Sequence, residues 1–515
     1  METTPNLILH NANVLTLDPR KPRAGLVAIN GSRIAWVGDD DRRSELEGAA
    51  TRAIDCQGKT LLPGFNDAHC HILAFASSLL AVDCSPASAA SIAHIRDSIS
   101  RQAARQPAGT WIRAGGYDEF RLAEGRHPTR WDLDEAAPQH PVKLLHRSRH
   151  ACVLNSVALS IVGITIESPE PPGGMIDRDL DSGEPNGVLF EMNSFLDSRV
   201  PPLTPDELEQ GTRLANERYL CAGITSLQDA TAHNRLDEWA LLKGFKERGL
   251  LAPRLSVMVS LDALEELQDG GFPPRSGDDE VRLGALKAVL TEATGTMHPS
   301  QEQLDAGVAR AHRAGYQVAI HAVEESTVAA AAQAIASALR VSPDGSHRHR
   351  IEHCSICPPE LLERLQRIGA VVVTNPAFIY HSGQRYLATV AEAQQRWLYR
   401  IGSFLKSGLI VAAGSDSPIA PVEPVVGIYA AVTRAASSGD HVLPEEGISG
   451  LDAVRTYTSN AAYASFDEGA KGSITPGTLA DLVLLSDDPS RVPPEGIKDV
   501  RVEMTVVGGR TVWER

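Results

Sequence analysis

The run QVAIHAVEESTVAAAAQAIASALR (residues 317–340), with RIEH (350–353) shortly after it, decides the fold. Its first five residues form an apolar strand ending at His321, Glu325 to Arg340 follow helical spacing, and RIEH is a second strand ending at His353. The alternation continues through the helical PPELLERLQRIG, the strand AVVVT, a loop and the helix containing SFLKSG. IVAAGSD closes the series at Asp416, and GALKAVL, which holds Lys287, is an earlier apolar run. Strand, helix, strand at roughly 30-residue spacing is the βαβ signature of a parallel sheet. Right-handed crossovers leave two arrangements, a doubly wound sheet or a closed barrel.

The two ends of the chain differ from this middle and resemble each other. LILHNANVLTL and GLVAINGSRIAWVGD place Asn30-Gly31 between two short strands, a strong hairpin signal. From Gly472 the pattern returns in GSITPGTLADLVLLS and VEMTVVGGRTVWE. Neither end closes a sheet alone, so the expectation is one small β-sandwich made from residues 1–60 and 469–515. Residues 61–468 then form the barrel, with insertions near 74–139 and 167–215. The second insertion contains ESPEPPGGMIDRDLDSGEPN, which reads as loop and hairpin. Insertions after barrel strands usually shape a substrate pocket.

The bulk numbers restrict the function classes. A formal charge of −16, with no basic run to offset it, argues against nucleic acid or an anionic membrane as partner. The expected partner is a small molecule, and a homodimer is the prior for assembly. Seven cysteines spread over 515 residues read as reduced thiols. With no secretory signal at the start and no apolar stretch of spanning length, a cytoplasmic location is expected. Abundant Ala, with Arg in preference to Lys, points to a bacterial source.

The chemistry begins with LLPGFNDAHCHI, where His69 and His71 flank Cys70. Residues two apart in a strand share a side, so both imidazoles can reach one metal ion. His321, His353 and Asp416 each end an apolar strand, as catalytic groups do at the C-terminal ends of barrel strands. Imidazole and carboxylate suit zinc, manganese, iron and cobalt alike. No G-X-S-X-G elbow, P-loop or G-X-G-X-X-G follows a strand, which removes Ser-nucleophile and nucleotide-dependent readings.

At this point the sequence resembles the amidohydrolase superfamily, specifically the amidohydrolase family 3 group that includes N-substituted formamide deformylases. The resemblance rests on LLPGFNDAHCH, the segment from Asp132 to Leu159, GITSLQDA, LKAVLTEATG, VAIHAVEE, RIEHCSI, AAGSDSPIAPVEP, YTSNAAYASF and KGSITPGTLADLVLL. It implies a (β/α)₈ barrel with the terminal β-sandwich. It also implies His69 and His71 on one metal and His321 and His353 on a second. Lys287, carboxylated by carbon dioxide, would bridge the two, with Asp416 as metal-proximal acid/base. Relatives carry Asp-Gly after the lysine where this chain has Thr291-Glu292. Glu292 therefore stands as a ligand, a substrate contact or a paired structural carboxylate.

The expected activity is hydrolysis of a C–N bond in an amide, N-substituted formamide or cyclic amide. Two divalent ions, zinc first among them, would supply hydroxide at neutral pH, and Asp416 would carry its proton to the leaving nitrogen. A single-metal site of His69, His71, His321 or His353, and Asp416 is the alternative. Hydrolysis of another bond type, or a non-catalytic binding or assembly role, are the other readings. His150, following the second strand, and Asp229, ending GITSLQD at the same rim, are candidates for substrate contact or for a structural role, and Arg385 and Tyr386, in the loop after the seventh strand, for substrate binding or a solvated loop position. His347 and His349, ahead of the sixth strand, are expected on the surface of the opposite face. Cys354-X-X-Cys357 lacks the second pair a zinc ribbon needs and is expected to be structural.

Overall fold

The computed structural model describes residues 4–171, 173–292 and 297–515. Residues 293–295 of the LKAVLTEATG motif, residue 296 after it and residue 172 of the second expected insertion lie outside them. The chain divides into two compact units, one of residues 1–71, 216–291 and 299–515, the other of residues 72–215 and 292–298.

The first unit contains the barrel. Its eight strands are β1 (Phe65–Cys70), β2 (Ile224–Asp229), β3 (Arg254–Ser260), β4 (Val281–Val289), β5 (Val318–Ala322), β6 (Arg350–His353), β7 (Val371–Thr374) and β8 (Val411–Ala413). They lie side by side in chain order, every pair parallel. Strands such as Val371–Thr374 are buried along their whole length, which explains their continuous apolar sequence rather than an alternating one. Helices return the chain between them. Gln301–Arg313 starts in a capping box at Ser300, and Pro359–Ile368 starts on Pro359 and stops at Gly369, whose φ is 64°. The Ala-rich helix Glu325–Val341 buries a face of Ala331, Ala334, Ile335 and Ala338. Arg385 and Tyr386 sit in the helix Ala377–Thr389, not in a loop as expected. The apolar residues Ala377 to Ile379 bury the start of that turn-rich sequence and fix it as helix.

The seam between β1 and β8 closes beyond the end of β8. Asp416 N donates to His69 O at 2.7 Å, and His71 N donates to Ser417 O at 3.0 Å. The Asp67 carboxylate accepts from Ser415 N at 2.9 Å and Ser415 Oγ at 2.5 Å.

The same unit holds two further sheets. One is built from Arg33–Gly38, Leu26–Asn30, Leu7–His10 and Arg52–Asp55. The other interleaves both termini, with Leu482–Leu485 between Thr60–Pro63 and Val502–Val507. Leu7, Leu9 and Ile29 of the first pack with Leu61, Leu482 and Val506 of the second, the sandwich expected from sequence. Arg254 of β3 ties the barrel to it through both oxygens of Asp481, at 2.5 and 3.1 Å.

The second unit corrects two expectations. Val142–His146, which the insertion boundaries placed in the barrel, belongs to a six-stranded sheet with Val82–Asp83, Ile112–Tyr117, Ala151–Leu154, Pro185–Phe190 and Met175–Arg178. The barrel's second strand is instead Ile224–Asp229. Residues 72–215 are thus one insertion with its own core, in which Ile95, Ile99, Ile112 and Leu144 are buried together. An apolar strand does not encode which sheet it joins, because that is decided by partners far away in sequence.

His347 and His349 are buried rather than on the surface. Val318 N donates to His349 Nδ1 at 3.0 Å, which leaves the proton on Nε2 to face His312 Nδ1 at 3.0 Å. His312 Nε2 then donates to Ser342 O at 2.6 Å. His347 Nδ1 accepts from His349 N at 2.8 Å while its Nε2 donates to Ile368 O at 2.8 Å. Every ring nitrogen is matched only when all three rings are neutral.

Candidate metal centre

The strand ends bring His69, His353 and Asp416 together. One nitrogen or carboxylate oxygen from each lies within 4.8 Å of the others, and all three residues are buried. His69 Nε2 is 3.5 Å from Asp416 Oδ1. The His353 ring centroid lies 4.8 Å from that of His69 and 4.5 Å from that of His321. Glu352 and His353 are consecutive, yet both serve this region. The backbone turns left-handed at His353 (φ 67°) and Cys354 (φ 50°), as it does at Asp416 (φ 57°). Non-glycine residues hold such angles only where the surroundings impose them, and such sites cluster at functional centres.

Hydrogen bonds settle which ring nitrogens are free. Asn375 Nδ2 donates to Gly414 O at 3.0 Å, so its Oδ1 is the atom 2.7 Å from His353 Nδ1. His353 Nδ1 therefore carries the proton, and Nε2 keeps its lone pair. His69 Nδ1 likewise donates to the Glu352 carboxylate, leaving Nε2 open. Imidazoles held through one nitrogen by an acceptor are the usual form of a metal ligand. His71 Nε2 donates to Asp416 Oδ1 at 2.9 Å, and its Nδ1 is 3.0 Å from Thr231 Oγ1. With the proton on Nε2, Nδ1 is left to accept from the Thr231 hydroxyl.

Lys287 is buried, and its Nζ has no hydrogen-bond partner among the described residues. Burial pulls its pKa down to about 8, against the opposing charge of Glu352. Burial, helped by the Lys287 charge, pushes His69 down to about 3, and burial also lowers His353. Burial alone would raise Asp416, but the His71 hydrogen bond and the surrounding imidazoles hold it below the ordinary carboxylate range. Burial raises Asp67 to about 6 despite its Ser415 bonds. The site thus offers neutral imidazoles, an ionised carboxylate and an amine that loses its proton readily. That donor set fits a divalent cation.

Of the other expected residues, Asp229 is buried at the end of β2, where its Oδ1 accepts from Thr231 N at 3.0 Å and Asn234 Nδ2 at 2.8 Å. His150 and Glu292 belong to the inserted unit. There His150, which does not follow a barrel strand, is half exposed and has Nδ1 2.7 Å from Glu191 Oε1. Arg385 is partly buried on its helix. Cys354 and Cys357 are buried free thiols, and the hydrogen bond with Cys357, reinforced by burial, holds the Cys354 thiol far above its ordinary pKa. Such a thiol is inert, in keeping with a structural role. The inserted unit also gathers Asp118, Glu119 and His146, where His146 Nε2 is 2.7 Å from Glu119 Oε2 and Arg147 Nε is 3.6 Å from Asp118 Oδ2.

Sequence reasoning passed over Glu352, Arg350, Asn375, Thr231 and Asp67. Arg350 and Glu352 are two apart in one strand, and that spacing was the available signal for a charged pair turned inward.

Comparison with known proteins agrees with this architecture. The chain is 30% identical to the N-substituted formamide deformylase of Arthrobacter pascens, covering 99% of this chain and 98% of that one. It superposes on an uncharacterized metal-dependent hydrolase from Pyrococcus furiosus with a TM-score of 0.72 at 24% identity, over 94% of this chain and all of the other. The corresponding protein from Pyrococcus horikoshii gives 0.75 at 22%, over 95% and 99%. The amidohydrolase family profile matches residues 52–513, from the last strand of the first terminal sheet through the barrel to the closing hairpin. With a match of that extent, and buried imidazole and carboxylate side chains gathered at the barrel's strand ends, the chain belongs to the amidohydrolase family.

Proposed function

We propose that this protein hydrolyses a C–N bond in a small amide, an N-substituted formamide or a cyclic amide, at a divalent metal centre. The observation that carries the reading is the convergence of two imidazoles with open Nε2 atoms, His69 and His353, on the ionised Asp416. In this reading His69 and His71 hold one ion, His321 and His353 a second, and Asp416 lies beside them. Zinc is the first choice for both. Lys287 would serve both ions: its amine, freed of its proton at an accessible pH, would add carbon dioxide to give a carbamate and one proton, supplying an anionic ligand. That converts a buried cation into an anion and removes the orphaned Nζ.

When bound, the metal supplies Lewis acidity to the scissile carbonyl and brings a water's pKa towards about 7. The residues do the rest. The Asn375 and Glu352 hydrogen bonds keep His353 and His69 in their ligand tautomers. Asp416, already ionised, takes a proton from the attacking water and delivers it to the nitrogen that leaves. An amine departs poorly without that proton, so C–N cleavage depends on this shuttle.

The N-substituted formamide deformylase relative supports the substrate class. The test is a panel of N-formyl amines, N-acyl amines, cyclic imides and hydantoins with metal-loaded protein, followed by amine or ring-opened product. Turnover of at least one C–N substrate is expected, and turnover confined to esters would overturn the assignment. We also propose a cytoplasmic location, on the strength of seven free cysteines, and a homodimer without nucleic-acid or membrane partners. Among the described residues no helix is long and apolar enough to cross a membrane.

A further inference from the structure

We infer that Glu352 is a positioning residue that fixes the tautomer and ring orientation of His69, and that Arg350 holds Glu352 in place to do so. The inference rests on the reading of His69 as a metal ligand. Glu352 and Arg350 are both fully buried on β6, two residues apart and facing the same way. Arg350 Nε donates to Glu352 Oε1 at 2.7 Å and Nη2 donates to Oε2 at 3.0 Å. The same Oε2 accepts from His69 Nδ1. Both carboxylate oxygens are therefore engaged, Oε1 by Arg350 and Oε2 by Arg350 and His69 together.

Arg350 spends its remaining donors on the same neighbourhood. Nη1 reaches Gln228 Oε1 at 2.5 Å, and Nη2 reaches Ala68 O at 2.7 Å. Ala68 immediately precedes His69, so one guanidinium braces the backbone beside the ring while its ion-pair partner braces the ring itself. Gln228 is anchored in turn to Ala461 O at 2.8 Å. A histidine held this way presents Nε2 with its lone pair in one direction, and loss of such an acceptor typically costs about 10–100-fold in metal affinity.

The test compares two double variants that remove both buried charges and so leave neither partner orphaned, a change that buried ion pairs commonly tolerate. Arg350→Met/Glu352→Gln keeps an amide oxygen to accept from His69 Nδ1, whereas Arg350→Met/Glu352→Leu keeps no acceptor. Cobalt(II) affinity is measured for the full chain by chelator competition, with the visible spectrum of the bound ion as a second readout. The Gln variant is expected to bind within a few-fold of wild type with an unchanged spectrum. The Leu variant is expected to lose about 10–100-fold with an altered spectrum. Equal affinity and equal spectra for the two variants would overturn the positioning role while leaving the metal reading intact. Failure of the wild-type chain to take up cobalt would overturn both.

Discussion

A Cβ built on Gly414 would lie 2.5 Å from the backbone nitrogen of His69 and 2.9 Å from its Cα. Glycine is required there because β8 and β1 approach backbone to backbone at the barrel's seam, directly beside a proposed ligand. Gly414→Ala should therefore displace His69 and destabilise the chain by about 1–3 kcal/mol, the usual cost of overpacking a filled interior. Urea unfolding checks the stability, and metal uptake checks the displacement. Unchanged values for both would mean that the seam is looser than the geometry shows.

Asp416→Asn should keep the fold and much of the metal affinity while lowering kcat by at least about a hundredfold, the scale of a lost general acid/base. Steady-state kinetics on any substrate found by the amide panel decides this. Near wild-type turnover would make Asp416 a structural aspartate.

The buried rings of His347 and His349 give a pH prediction. Burial pushes His347 below its ordinary 6.5 and His349 well below it. Below about pH 6.5 the unfolded chain binds protons that the folded rings refuse, so stability falls as pH falls through that point. The contribution is fully present above about 6.5 and lost towards the lower folded values. Unfolding free energies of metal-free protein between pH 7.5 and 5 should show this slope, and His349→Gln should flatten it. Identical slopes in wild type and variant would show that these rings do not titrate on unfolding.

How much of this was legible in the sequence depended on the range of the interactions involved. His69, His353 and Asp416 were legible because each lies at or just beyond the C-terminal end of an apolar strand, and a parallel barrel gathers strand ends at one rim. The terminal sandwich was legible from Asn30-Gly31 and the hairpin at Gly508-Gly509. Val142–His146 misled because a buried strand carries no mark of its sheet. His347 and His349 misled because a polar residue before a strand reads as exposed until its partners, here Val318 N and Ile368 O, are known. Glu352 went unseen for a related reason: its role follows from His69, 283 residues away.

Lys287→Ala should lose activity and at least one metal per chain, and added formate should restore part of both by supplying the missing carboxylate. Metal analysis on the variant with and without formate reads the outcome. A full metal complement with normal turnover would replace the proposed two-metal centre by a single site.

If a divalent metal at these strand ends drives the proposed hydrolysis, removing it must stop the reaction and restoring it must bring the reaction back. The direct measurement strips the protein with chelator, confirms the loss by elemental analysis, and follows amine release as zinc is added back in known equivalents. Activity should be absent in the stripped chain and should rise with added metal, levelling at two ions per chain. Undiminished amine release from protein that contains no metal would contradict the account.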